Sequence, residues 1–370
     1  MNRPERVPKL VSFGTRETVH LATPDGYCPT TIIMKPHQCL LRSCLRACAS
    51  IGLILAGQLP LSAQSQITPG QASQVRSAIG NRVEALTILG GDYGLGDGTY
   101  HYPGNSTGNS HSNIETNISK IGGYGEVGDP QQLGRLGIGW QPRFQGSVGY
   151  LDSKNKFDSG LLKNDTSESR IFAIQFGGGA RFWLNENLSL APTFMGMFGH
   201  TTNEYTANSA FMVANLPQAR RVGLVDWNAD TWTVRPALDI QYVYIWDRTI
   251  FTLSSDPTYF HTKSFSSSNS NVRIGGDSET WANKIDVDIP LGKQLYGHEL
   301  RTGGYFSRTE LFDDIKAGLN NGHLYEVHGR LVLDFLNQFW KTQWIGIGGS
   351  YIWGSNFSGW SVGADVAFRF

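Results

Sequence analysis

The sequence predicts an all-β protein, an antiparallel transmembrane β-barrel of about twelve strands with a short helix ahead of the first strand. Three observations predict it. Apolar and polar residues alternate over unusually long tracts, the links between tracts alternate between long and short, and the last tract ends on an aromatic residue.

Composition points the same way. Charged residues make up 17% of the chain, against about 25% in ordinary soluble domains. Glycine is abundant, with 44 among 370 residues, and aromatics reach 12%. Low charge with excess glycine and aromatics suits a sheet-rich protein. A formal net charge of zero supplies no attraction for nucleic acid or an acidic substrate. The slightly negative mean hydropathy excludes a bundle of membrane helices. It allows a barrel, in which only alternate strand residues face lipid.

Residues 1–33 show no periodicity and read as an upstream extension, disordered or due to a mis-assigned start. Residues 34–63 read as a signal peptide: basic Lys35, Arg42 and Arg46, the apolar stretch Ala47–Gly57, then a small-residue exit ending at Ala63. That apolar stretch is too short to cross a bilayer. The four cysteines, Cys28, Cys39, Cys44 and Cys48, all precede Ala63. Cleavage there leaves a chain expected to fold without disulfides, thiolate metal sites or cofactors.

Segment 64–82 reads as a helix able to plug the barrel. Thr68 and Gln71 fit a capping box, with Pro69 at the first helical position. The spacing of Val75, Ala78, Ile79 and Arg82 predicts a helix over Pro69–Asn81.

From residue 83 the period becomes two, and the barrel is expected to occupy 83–370. In the clearest tract, Leu136, Ile138, Trp140, Phe144 and Val148 oppose Gly137, Gln141, Arg143, Gln145 and Ser147. A run of this length suits a strand that crosses a membrane with about 9–11 residues and projects beyond it. Strands are predicted near 83–92, 113–126, 135–151, 169–184, 188–202, 229–246, 249–264, 280–290, 298–311, 323–336, 342–354 and 360–370. Long links such as Tyr93–Ser112, Asp152–Glu168, Asn203–Asn228 and Phe265–Glu279 alternate with short ones such as Asn185–Asn187 and Asp247–Arg248. Outer-membrane barrels carry long external loops and short periplasmic turns. Closure follows from the solvent: lipid offers no partner to backbone N–H and C=O groups, so the sheet can leave no edge.

In the last tract Trp360, Val362, Ala364, Val366, Phe368 and Phe370 share one face. With Gly363 opposite, Val366, Phe368 and Phe370 resemble the closing-strand signal that the barrel assembly machinery reads in outer-membrane proteins. That resemblance implies the assembly machinery and the secretion translocon as partners in biogenesis. It also implies outer-membrane lipid as the surroundings, and a monomer.

The polar faces gather charge. Lumen candidates are Arg143, Arg181, Arg235, Lys284, Arg301, Arg330 and Arg369, against Asp239, Asp286, Asp288, Glu326, Asp334 and Asp365. Either they form a selective constriction in a pore, or they form a lattice of ion pairs that stabilises the interior. Near balance of sign favours the lattice. No spacing unites His101, His200, His261, Asp313 and Asp314 into a catalytic set, and His323 and His328 differ in parity. A non-enzyme is expected.

Signal peptide, short helix, twelve strands and terminal Phe370 together resemble the translocator domain of autotransporters. In that family a helix threads the barrel and an upstream passenger reaches the surface. Only a short segment separates Ala63 from the first strand, so the chain resembles the solitary autotransporter-like barrels, which stand alone. The resemblance implies a structural, surface or transport role, with a porin-like channel as the alternative and an outer-membrane hydrolase as a third. It carries no functional residue over.

Overall fold

A computed structural model describes residues 69–91, 96–103, 112–128, 130–133, 138–339 and 342–369. The extension, the signal peptide, the cysteines and Thr68 of the capping box lie outside the described residues, as does the side chain of Gln71. No helix among the described residues is long and apolar enough to cross a membrane.

Helix α1 spans Pro69–Gly91. The strands are β1 (Gly96–Pro103), β2 (Ser112–Glu126), the three-residue β3 (Gln131–Leu133), β4 (Ile138–Phe157), β5 (Thr166–Trp183) and β6 (Leu188–Thr206). After helix α2 (Ala210–Arg221) come β7 (Trp227–Trp246), β8 (Thr249–Ser267), β9 (Gly275–Leu295) and β10 (His298–Phe312). Helix α3 (Asp313–Leu319) precedes β11 (His323–Phe339), β12 (Thr342–Trp353) and β13 (Ser358–Arg369).

Each long strand pairs antiparallel with the next, and β1 pairs with both β2 and β13, which closes the sheet. Counting β3 as a fragment beside β4, the result is a closed 12-stranded antiparallel barrel. The seam is unequal along its height. Beyond the start of β1 at Gly96, β13 and β2 meet directly and in parallel, at Phe368–Gly125 and Arg369–Glu126.

Two expectations need correction. Residues 83–92 are not the first strand, because α1 continues to Gly91. The first strand is instead β1, inside the expected loop 93–112. Val83, Ala85 and Thr87 mimic a period of two, but Glu84, Ala85 and Leu86 are strong helix formers. All six residues from Val83 to Ile88 are buried. A helix buried all round carries no apolar stripe for a sequence to reveal.

The other eleven tracts lie where the alternation places them. On β4 to β6 the exposed residues Phe144, Val148, Phe172, Ile174, Phe176 and Phe194 alternate with buried Arg143, Gln145, Ser147, Ala173, Gln175 and Thr193. The wet-looking residues are therefore the interior and the greasy ones the exterior, the reverse of a soluble protein. Strands β4 to β9 are 18 to 21 residues long, about twice what a crossing needs. The expected loops near 152–168 and 265–279 are thus largely strand, and the wall rises beyond the bilayer on that side. Stacked rings mark the boundary: Tyr325 lies 5.6 Å from Trp353, and Phe306 lies 6.1 Å from Tyr325. Aromatic girdles of this kind sit at headgroup level.

Candidate functional site: the lumen and its plug

The lumen is occupied by α1 at the end that carries the long loops. On one side Val83 and Leu86 pack with Ile114 of β2, Leu151 of β4, Ile171 of β5 and Ile274. On the other, Ala85 and Ile88 pack with Ala173, Met197 of β6, Phe260 of β8 and Leu311 of β10. One short segment thus touches the inner faces of strands on opposite walls. Helix α3 folds inward beside it, burying Ile315 and Leu319 in the same cluster.

Polar contacts orient the plug. Arg82 donates to Ser153 Oγ at 3.0 Å, and Arg76 donates to the Val222 carbonyl at 2.9 Å. Two glycines make room for it. A Cβ on Gly318 would fall 2.4 Å from the Asn81 carbonyl oxygen, and one on Gly199 would fall 2.9 Å from Thr87 Cγ2. Sequence reasoning missed both. Glycine in a strand or short helix has many uses, and only the partner across the gap identifies this one.

Deeper, towards the tight turns, the expected charges meet in two groups. Across β4, β5 and β7, Asp239 Oδ2 accepts from Arg143 at 2.7 Å and from Arg181 at 3.2 Å. Arg181 also reaches Glu126 at 2.5 Å, Ser189 at 2.8 Å and Gln241 at 2.8 Å. The Arg143 guanidinium covers the Tyr124 ring at 4.2 Å. Across β9 to β11, Arg330 grips Asp286 with two bonds of 2.7 Å, while Arg301 reaches Asp288 at 3.1 Å. Lys284 lies 5.1 Å from the Tyr305 ring, whose hydroxyl donates to Glu326 at 2.8 Å.

Arg235 lies on β7. It is buried beneath the plug, donating to Met195 Sδ at 3.1 Å with the Phe260 ring at 5.7 Å. Asp334 lies on β11 opposite Glu299. The backbone of β13 is in register with β12, pairing Gly363 with Gly348 and Val366 with Ile345. Phe370 lies outside the described residues, as do the side chains of Asp365, Val366, Phe368 and Arg369.

Two of the dispersed histidines face outward near the loop end and meet carboxylates the sequence could not pair. His200 meets Asp230 at 2.6 Å, and His261 meets Asp277 at 2.9 Å. Asp313 and Asp314 instead open helix α3.

The model of one family, the solitary outer membrane autotransporter beta-barrel domain, matches residues 131–363. The chain belongs to that family. Its place is therefore the outer membrane, with the loops external and the tight turns periplasmic. No curated protein matches the chain in sequence.

Among solved structures, the transport unit of the autotransporter AIDA-I from Escherichia coli aligns at 10% identity with a TM-score of 0.45, covering 74% of this chain and 88% of that one. The translocator domain of NalP from Neisseria meningitidis aligns at 10% identity and 0.44, covering 82% and 99%. The beta domain of the Bordetella autotransporter BrkA gives 11% and 0.42, covering 75% and 100%. By their descriptions these neighbours are a transport unit, a translocator domain and a beta domain of autotransporters.

Proposed function

We propose that this protein is a stand-alone, plugged outer-membrane barrel of translocator type, with a structural or surface-directed role rather than that of an open pore. One observation carries the reading: the run Val83–Ile88 is buried between opposite walls of the lumen. Ions passing the barrel would have to displace a packed apolar plug. The tall external wall of β4 to β9, topped by α2, offers the surface on which such a role would act. During biogenesis the partners are the secretion translocon and the barrel assembly machinery, and afterwards the lipid of the outer membrane around a single copy.

The alternative is a porin-like channel. It draws support from the luminal Arg143, Arg181, Arg301 and Arg330 with their carboxylates, which would set ion selectivity if the plug moved. Single-channel recording in planar bilayers separates the two. The plugged reading expects a silent full-length barrel and clear conductance steps after deletion of residues 69–91. Steady conductance by the full-length protein would favour the channel.

A further inference from the structure

We propose that Glu84 and Asp314 form a binding site for a hard divalent cation, which fastens the luminal helix α1 to the external-loop helix α3. Glu84 lies on the buried run of α1 and is 0% exposed. Its Oε1 accepts from Ser278 Oγ at 3.0 Å, but its Oε2 has no hydrogen-bond partner. Asp314 arrives from α3, and its Oδ2 accepts from the Asp277 N–H at 3.1 Å.

The two carboxylates converge beside Gly276 of β9. A Cβ built on Gly276 would sit 1.9 Å from Asp314 Oδ2 and 2.8 Å from Glu84 Oε2. Glycine at 276 therefore leaves room for the Asp314 carboxylate to come alongside Glu84 Oε2, room that any side chain would take. Ser278 ties the three elements together there. Its hydroxyl donates to Glu84 and accepts from the Ile315 N–H at 3.0 Å.

A buried carboxylate that approaches a second one gains from a positive counterpart. Asp314 and Asp277 raise Glu84 while His261 lowers it, and Asp313 also raises Asp314. Burial pushes the Glu84 carboxyl up to about 7, and burial together with Asp313 and Asp277 raises Asp314 as well. A proton or a metal ion would relieve this repulsion. Oxygen-only donors select a hard ion such as calcium, which accepts carboxylates and completes its shell with water. Asp314 is half-buried, which gives that water and the ion a way in.

The test uses the full chain refolded in detergent, stripped with chelator and titrated with calcium chloride by calorimetry and thermal unfolding. The proposal expects one saturable site, with a dissociation constant of about 10⁻⁴–10⁻³ M, as in weak extracellular calcium modules. Unfolding should shift to higher temperature with calcium. Protons compete for the same oxygens, so binding should be at least tenfold tighter well above the Glu84 value of about 7 than well below it. Glu84→Gln and Asp314→Asn should each abolish the shift, and Asp158→Asn, on an external loop, should keep it. Absence of saturable binding at alkaline pH would overturn the proposal. So would equal binding by a folded Glu84→Gln, or a Glu84→Gln chain that is simply stabilised while the parent ignores calcium. The last result would mark a shared proton instead.

Discussion

Gly318 of α3 lies against Asn81 of α1 so closely that a methyl group at 318 would fall 2.4 Å from the Asn81 carbonyl oxygen. The contact locks an external loop onto the luminal helix. Gly318→Val should therefore push α3 out of the lumen and cost about 1–3 kcal/mol, the usual range for overpacking. Thermal unfolding in detergent reads the loss. An unchanged melting temperature would show that α3 does not pack there.

Asp239 is shared by two buried guanidinium groups, at 2.7 Å from Arg143 and 3.2 Å from Arg181. Removing one partner of a buried ion pair costs about 3–5 kcal/mol, chiefly because charge stays behind in a poor solvent. Asp239→Ala is expected at the low end of that range, since Tyr124, Glu126 and Gln241 remain beside the arginines. Urea unfolding of the refolded barrel measures it, and a loss below about 1 kcal/mol would place the cluster in water, where such pairs contribute little.

The external rim should respond to acid through Asp165. Its carboxylate accepts from the Asn208 and Ser209 amides at 2.6 Å each, from Ser209 Oγ at 2.7 Å and from the Tyr205 hydroxyl at 2.8 Å. Burial alone would raise this group, but the donors outweigh it and hold it below the usual 3.8. A depressed value contributes stability that is complete above the ordinary value and disappears as pH falls through the folded one. Loop 207–226 should thus resist an acid-active protease at mild acidity and yield only below about pH 3.8. Asp165→Asn should make it labile at every pH. Equal cleavage of both chains throughout would contradict this role.

Phe176 is 70% exposed on the outer wall. A cation on the lipid face near mid-bilayer costs about 2–4 kcal/mol. Phe176→Arg is expected to lower folding yield into vesicles, while Phe176→Leu should fold normally. Normal insertion of the arginine variant would put this face in water.

What the sequence revealed follows from range. Strand alternation is a property of neighbours, so the tracts from 113 to 370 could be placed, as could the inward side of Arg143, Arg181 and Arg330. The pairing of Arg143 with Asp239, 96 residues apart, depends on barrel register and leaves no linear trace. The end of α1 was hidden because Val83–Ile88 is enclosed on all sides. Strand β1, Gly-Asp-Gly-Thr-Tyr-His-Tyr-Pro, reads as a turn because glycine and proline flank its few strand-forming residues. Its partners β2 and β13, rather than its own propensity, hold it extended. Glu84 fell in a tract read as strand, and only the fold brings it to Gly276 and Asp314.

A spin-label scan along β5 from residue 170 to 176 in lipid vesicles tests the central arrangement most directly. Labels at Phe172, Ile174 and Phe176 should be accessible to oxygen dissolved in the bilayer. Labels at Ile171, Ala173 and Gln175 should be immobile and shielded, and Ala173 should gain mobility when residues 69–91 are deleted. Uniform accessibility along the strand, or a label at Ala173 indifferent to the helix, would contradict a lipid-facing wall closed around a luminal plug.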